Sequence, residues 1–445
     1  MTDDTAKTAV ETAIPDTPDT LPPGLPHVAY ILLWYPLFTQ PFIFREVENL
    51  KQRLPVEVYS LYASNLRCCS REMLAVAPGV RTAGMKYLPA FFLEILRCLA
   101  ARPKKFCRIF ARSLLRPWRG FESFAENFWA FFAGMTLGRQ LREDGIDMVY
   151  APWPRGTATA AWVAADIAGV PFATSARGDN LEPADPDLGA KFAAALFIRA
   201  NNAADQKRIE NFDRNQAKNK VELVYNSLTL SAAAARPRPV LAQNPVRLLA
   251  LGRFDVTKGF DVLLRACGIL KNDGLDFLMT LAGGGGKIMG LGGMERMLLV
   301  LRKELGLERH VSMPGLVSHD DLPDVLLGHD IFVAPCVVHA SGRRDGIPNT
   351  VIEAFAYGLP VVGTSVNALP EVVRHHETGL LVPPGNARAL ADAVLWLARH
   401  PAEARLMGQN GKNLAGEMFD PDRNSRRLSK LFVRRYTLWK ASCAA

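Results

Sequence analysis

The chain has 445 residues, too many for one ordinary hydrophobic core, so the length predicts two domains. With 49% hydrophobic and 22% charged residues it reads as globular and soluble, and its net charge of +9 calls for an anionic partner. Seven cysteines without paired metal spacing argue against a disulfide framework and favour a reducing cytoplasm. The acidic, polar N-terminus argues against a signal peptide, and no stretch is long and apolar enough to span a bilayer.

Residues 1–24, rich in Thr, Asp and Pro, predict a disordered tail. A buried strand over 27–34, a loop over 35–41, a helix over 42–54 and a strand over 56–61 follow. This start belongs to a doubly wound sheet, whose ligands sit in loops at strand C-termini. Gln40 in the first loop and Glu46 on the helix are site candidates, set against a reading of Glu46 as a solvated helix residue.

Residues 86–120 differ from their surroundings. Arg97, Arg102, Lys104, Lys105, Arg108, Arg112, Arg116 and Arg119 occur there with no acidic residue among them. Phe106, Ile109, Phe110, Leu114, Leu115 and Trp118 are interleaved. Cations for anionic headgroups beside rings and leucines for the acyl boundary fit an anionic membrane surface. A packed helix with a solvated basic face is the competing reading. No recognised nucleic-acid motif accompanies the charge, so nucleic acid is not an expected partner. Phe121, Phe124, Phe128, Phe131, Phe132 and Met135 recur at three- and four-residue spacing and predict a core-facing helix.

Strands over 147–151 and 170–175 flank an Ala-rich helix over 155–168. The second strand leads into Ala176-Arg177-Gly178-Asp179-Asn180. A guanidinium cannot act as a base, so Arg177 either holds a phosphate or an acidic sugar or anchors structure. The Ala/Pro/Arg-rich stretch after residue 230 reads as an interdomain linker. Domains are expected over 25–235 and 246–415, with the linker over 236–245 and a C-terminal helix over 416–445.

The second domain opens with a strand over 246–251 and then Gly252-Arg253-Phe254-Asp255-Val256-Thr257-Lys258-Gly259 before a helix. A tight turn, two converging cations and a helix N-terminus suit a diphosphate. A strand and glycine loop follow over 277–286, then a small flexible insertion over 289–293, a strand and loop over 310–317 that includes Val317, and a strand over 331–335. Next comes Asp345-Gly346-Ile347-Pro348-Asn349-Thr350-Val351-Ile352-Glu353. Pro348 suits the first turn of a helix carrying Val351, Ile352, Phe355 and Ala356 at apolar spacing. That element fixes two carboxylates, Asp345 and Glu353, and its free N–H groups favour an anion. An ordinary capped helix with a solvated Glu is the plain alternative. Asp185-Pro186-Asp187 and Asp420-Pro421-Asp422 have the letters of a metal motif but read as Pro-containing turns.

Taken together, Gly-Arg-x4-Lys-Gly at 252–259 and the acid-x7-acid pattern of Asp345 and Glu353 resemble the retaining GT-B glycosyltransferases of family 4, the glycosyltransferase group 1 of exopolysaccharide and colanic-acid type. The resemblance covers about 27–438 and is strongest over 246–400. It implies an α/β GT-B fold, two Rossmann-like doubly wound domains facing a central cleft, closed by a C-terminal helix that crosses back to the first domain. It also implies transfer of a sugar from a nucleotide-diphosphate-sugar donor to a glycan or lipid-linked acceptor, with no metal and no cofactor. Asp345 would lie by the sugar and Arg253 and Lys258 on the pyrophosphate. Glu353 would hold the ribose, while Gly252, Gly346, Ile347, Pro348, Asn349, Thr350, Val317 and Arg177 line the donor site and Gln40 and Glu46 the acceptor side. Localisation would be cytoplasmic, on the inner face of the membrane. The chain departs from the pattern at Arg177, where relatives carry His, at Asp345, where many carry Glu, and in lacking a Gly-Gly pair in the first loop. A GT-B epimerase or phosphorylase, and a non-catalytic scaffold of a polysaccharide assembly complex, are the competing classes.

Overall fold

The structure is a computed structural model that describes residues 24–62, 66, 69–82, 88–118, 120–177, 181, 184–212, 218–228, 234, 245–284 and 292–444. The expected tail and linker, the Gly178-Asp179-Asn180 turn and the first part of the expected insertion at 289–293 fall outside them, apart from Gly24 and Pro245. The chain forms two compact units: Met1–Ser227 with Pro421–Ala445, and Leu228–Asp420.

The first unit is built on a sheet of seven parallel strands among the described residues: β1 (Val28–Leu32), β2 (Val56–Ser60), β3 (Arg81–Thr82), β4 (Met148–Ala151), β5 (Phe172–Ala176), β6 (Ile198–Ala200) and β7 (Val221–Leu223). Their order is β3-β2-β1-β4-β5-β6-β7. Strands such as β1 and β5 are buried throughout because helices cover both faces, and this is why they read as continuous apolar runs. On one face the helix Gly156–Ala168 packs against the helix Phe121–Glu143. On the other, the long helix Pro421–Ala444 lays Phe432 against the rings of Tyr30, Tyr150 and Phe197.

One expectation is corrected here. The aromatic stripe from Phe121 is only partly core: Phe131 and Met135 are buried, whereas Phe121 is 84% exposed and Phe128 42%. The basic segment is two helices, Leu88–Ala101 and Pro103–Leu114, broken where Pro103 removes a helical N–H.

Among the described residues the second unit has six parallel strands: β8 (Val246–Arg253), β9 (Phe277–Gly284), β10 (Val311–Ser312), β11 (Ile331–Ala334), β12 (Val361–Thr364) and β13 (Gly379–Val382), in the order β10-β9-β8-β11-β12-β13. Counted within the unit, this is the Rossmann order, and the winding reverses between β8 and β11. Ligands of such sheets sit at that reversal, beyond the strand C-termini. The loops after β8 and β11 carry the two motifs. Residues 292 and 293, expected in a flexible insertion, instead open the helix Gly292–Glu304. No helix among the described residues is long and apolar enough to cross a membrane.

Candidate functional site

The loop after β8 is held by a carboxylate that sequence reasoning passed over. Asp255 caps the short 3-10 turn Val256–Lys258, accepting from Thr257 N at 3.0 Å and Thr257 Oγ1 at 2.8 Å. Arg343, from the loop after β11, donates to its other oxygen at 3.1 Å. Burial pushes the Asp255 carboxyl up, but the Thr257 hydrogen bonds and the Arg343 and Arg253 charges outweigh it and hold it below the usual carboxylate range. The signal was present as Asp-x-Thr, an N-cap pattern. Val337 N donates to Thr257 O at 2.9 Å, so the two loops flanking the reversal are bonded directly.

Gly259 closes the turn with φ +65°, and a Cβ there would lie 2.0 Å from the Pro335 carbonyl oxygen. Gly259→Ala is therefore expected to destabilise the second unit by roughly 1–3 kcal/mol from overlap, with about 1 kcal/mol more from the left-handed backbone. Urea unfolding measures it, and a change inside about 0.5 kcal/mol would mean that the loop is free to relax.

That turn delivers Lys258, whose ammonium forms an ion pair with Asp345. Both are largely buried, with side chains 13% and 26% exposed. Burial draws the Lys258 ammonium down, but Asp345 overrides it and the group is held above its ordinary range. The Lys258 stem runs over Gly252, where a Cβ would sit 3.4 Å from Lys258 Cε. Arg253, half-buried at the end of β8, lies close enough for its charge to act on both Lys258 and Asp255. Asp345 is placed in turn by Asn367, which donates to its backbone carbonyl at 3.0 Å. Asn367 adopts φ 45°, a conformation Asn tolerates better than most residues.

Beyond Asp345, Gly346 is half-buried while Ile347 and Pro348 are buried. Pro348 is the N-cap, with ψ 127°, and the helix runs Asn349–Ala356. Its first residue is thus Asn349, one position later than the sequence suggests. The first amides of this helix have no intrahelical acceptor, and the helix dipole makes that end positive. Pro348 and Thr350 line one small pocket with Lys258, Pro335 and Cys336. Burial pushes the Cys336 thiol up to about 12, so it stays protonated and unreactive there. Further along the helix, Glu353 is half-buried, and its carboxylate takes no hydrogen bond or ion pair from the described residues. Burial alone pushes its carboxyl up to about 7. Val317 is half-buried in the loop after β10, which is joined to the end of β9 through Gly283 N to Gly315 O at 2.9 Å.

Gln40, Glu46 and Arg177 belong to the first unit. Gln40 caps the helix Pro41–Lys51 without a side-chain hydrogen bond. Glu46 is 3% exposed and is no solvated helix residue. Its carboxylate pairs with Arg199, accepts from Tyr30 Oη at 3.3 Å and lies 3.8 Å from Arg177. Arg199, 1% exposed on β6, completes its bonding to Val224 O at 2.9 Å and Tyr225 O at 3.0 Å. Arg177 donates to Pro152 O at 3.1 Å and Asn226 Oδ1 at 3.0 Å, between the rings of Phe42 and Trp153. Its remaining terminal nitrogen makes no hydrogen bond. The missed partner had a signal: an arginine inside the apolar run 196–200 must find a carboxylate.

Neither Asp-Pro-Asp turn gathers its carboxylates. Asp187 is an internal ion pair with Lys191 at 2.9 Å, and Asp422 pairs with Arg53 and Arg426. Among the described residues, no three His, Cys, Asp or Glu side chains are placed to hold a metal.

Comparison with known proteins identifies this architecture. The two-unit fold is that of GT-B glycosyltransferases, as in the solved Anabaena Alr3699/HepE in complex with UDP and glucose: TM-score 0.65 and 16% identity, covering 91% of this chain and 98% of that one. Residues 232–414 match the family model for glycosyl transferases group 1, so the second unit is a domain of that family. The putative colanic acid biosynthesis glycosyltransferase WcaL of Escherichia coli K12 is 38% identical over 156 residues, 35% of this chain and 37% of its own. The amylovoran biosynthesis glycosyltransferase AmsK of Erwinia amylovora is 35% identical over 159 residues, 36% of this chain and 37% of its own. Each match thus spans little more than a third of the relative.

Proposed function

We propose that the protein is a retaining glycosyltransferase of the family 4 type. It moves a sugar from a nucleotide-diphosphate-sugar to an acceptor hydroxyl on a glycan or lipid-linked chain, in cell-surface polysaccharide or glycolipid synthesis. The observation that carries this reading is the Lys258–Asp345 pair at the winding reversal of the second sheet, beside the N-terminus of the helix Asn349–Ala356. The named activities of WcaL and AmsK and the UDP held by HepE support the same class.

In this reading the bond from the anomeric carbon to the diphosphate breaks. A bond to the acceptor oxygen forms on the same face, and the acceptor proton leaves with the nucleoside diphosphate. Arg253, Lys258 and the amides of Gly346, Ile347, Asn349 and Thr350 take the growing negative charge. They supply the charge that a cation would otherwise bring, so the reading includes no metal and no cofactor. Asp345 faces the transferred sugar, Glu353 accepts from the ribose hydroxyls, and Gly252, Pro348 and Val317 shape the remainder. Arg177 belongs to the donor side in this reading, acting through the Phe42 and Trp153 rings it holds, because its spare nitrogen is buried. On the acceptor side stand Gln40 and Glu46, the latter acting through the guanidinium beside it. The reaction takes place in the cytoplasm at the inner membrane face, with no nucleic acid partner.

The test is the melting temperature with UDP, GDP, ADP and their sugar conjugates. One nucleotide family is expected to stabilise by about 2.7 kcal/mol at a hundredfold excess over Kd, and the gain to vanish in Glu353→Ala. The pH dependence is specific to Glu353. Its folded pKa near 7 lies above the ordinary 4.5, so its contribution to stability is full below about 4.5 and lost as pH rises through about 7. Ribose hydroxyls donate to the ionised form. Nucleotide affinity is therefore expected to rise on the order of tenfold from pH 6 to pH 8, and to stay flat in Glu353→Gln. Absence of any shift with all three nucleotides would overturn the assignment.

A further inference from the structure

We infer that the first unit docks on an anionic lipid bilayer through the helices Leu88–Ala101 and Pro103–Leu114. Both helices already have an inward face in use. Cys98, Phe106 and Phe110 pack on a buried cluster that includes Ile109, Leu114 and Phe131. What is left outside includes large apolar side chains. On the first helix Phe92 is 67% exposed, Leu96 63% and Leu99 38%, at i, i+4 and i+7, so one outward stripe is apolar. Leu115 follows the second helix at 66% exposed, and Phe121 starts the next at 84%.

Apart from Glu94, which is paired with Arg97 and Arg139, the charges beside this stripe on the two helices are basic. The segment 103–114 contains no carboxylate. Lys104, Arg108, Ala111 and Leu115 form an outward row at i, i+4, i+7 and i+11, and all four are exposed. Arg112 is occupied by Asp166 at 2.7 Å and by the Trp162 ring, and Arg97 by Glu94. Arg102, Lys104 and Arg108 have no ion pair among the described residues. Unpaired cations next to exposed Phe and Leu complement a surface with anionic headgroups over an acyl boundary. At 14 and 12 residues the helices are too short to span, so they lie in the plane of the interface. A polynucleotide would leave the apolar stripe unburied. In a two-fold contact between copies each subunit presents the same patch, and the like charges of those patches would be brought together.

This surface does not depend on the sugar-transfer reading, and its test needs no substrate. The full chain is sedimented with phosphatidylcholine vesicles and with vesicles containing about one third phosphatidylglycerol. Binding to the anionic vesicles is expected, and it should weaken with salt. Each cation near such a surface is worth about fivefold, so Lys104→Gln with Arg108→Gln should weaken binding about twenty-five-fold. Phe92→Ser with Leu96→Ser should also release the protein, in this case without changing the salt slope. All four side chains are exposed, and unchanged melting temperatures would show the variants folded. Equal binding to neutral vesicles overturns the proposal. So does no binding at all, or a concentration-dependent dimer that the same substitutions dissociate.

Discussion

Lys258→Ala is expected to lower kcat for sugar transfer by about 10²–10³-fold, the cost of removing one preorganised donor from a developing anion. Every constraint on Lys258 favours this. Asp255 caps its turn, Gly259 lets Pro335 approach, and the stem lies flat over Gly252. The ammonium carries three protons and Asp345 takes one, so a diphosphate can be bound without breaking the ion pair. The stability effect should be small by comparison. Asp345 is a quarter exposed, and water can solvate the carboxylate that the substitution leaves alone. A shift of a few degrees in melting temperature is expected beside a loss of two to three decades in rate, read as nucleoside diphosphate released from the donor that the thermal panel identifies. Turnover within threefold of the parent would remove Lys258 from the site. Asp345→Asn distinguishes charge from shape: it keeps a hydrogen-bond acceptor for the ammonium but removes the carboxylate facing the sugar.

Much of the second unit was legible because its signals are local. Strands covered on both faces are unbroken apolar runs, and β8, β9 and β11 each fall within a residue or two of where those runs lie. The Gly-Arg-x4-Lys-Gly spacing predicts a strand, a turn and a helix, and those are the elements found at β8, Val256–Lys258 and Phe260–Asn272. Finer boundaries were not decidable. Proline's φ near −63° fits both an N-cap and a first helical position, and only the ψ of 127° imposed by the preceding loop puts Pro348 outside the helix. Likewise a period of three and four identifies one helix face. It does not say how far a neighbour extends to cover that face, so Phe121 and Phe131 look equivalent in sequence and differ completely in burial.

Non-local pairings were the least legible. Glu46, Arg177 and Arg199 lie on three separate elements, and nothing in the spacing of residues 46, 177 and 199 reveals that they share one buried site. A glutamate on a short amphipathic helix is ordinarily solvated. Only the burial of the unit, with Tyr30 beneath and β6 alongside, turns it into the counter-ion of a guanidinium.

Glu46→Gln should consequently be the most destabilising single change of charge in the first unit, costing about 3–5 kcal/mol. Arginine cannot escape burial by losing its proton. With the carboxylate gone, two guanidiniums stand unneutralised at 1% and 6% exposure, and the amide presents Arg199 with a neutral acceptor at best. The backbone carbonyls of Val224 and Tyr225 still hold Arg199, so the fold is expected to survive weakened rather than rearranged. Urea unfolding followed by tryptophan fluorescence reports on the correct unit, since six of the seven tryptophans lie in it. Arg199→Met should cost a comparable amount, and the double variant less than the sum, with a coupling of roughly 1–3 kcal/mol. Additive losses would show that Glu46 and Arg199 do not act as a pair. A loss below about 1 kcal/mol for Glu46→Gln alone would show that water reaches the cluster and solvates the charges. That outcome would also reopen direct ligand contact by Glu46, which its present burial withholds.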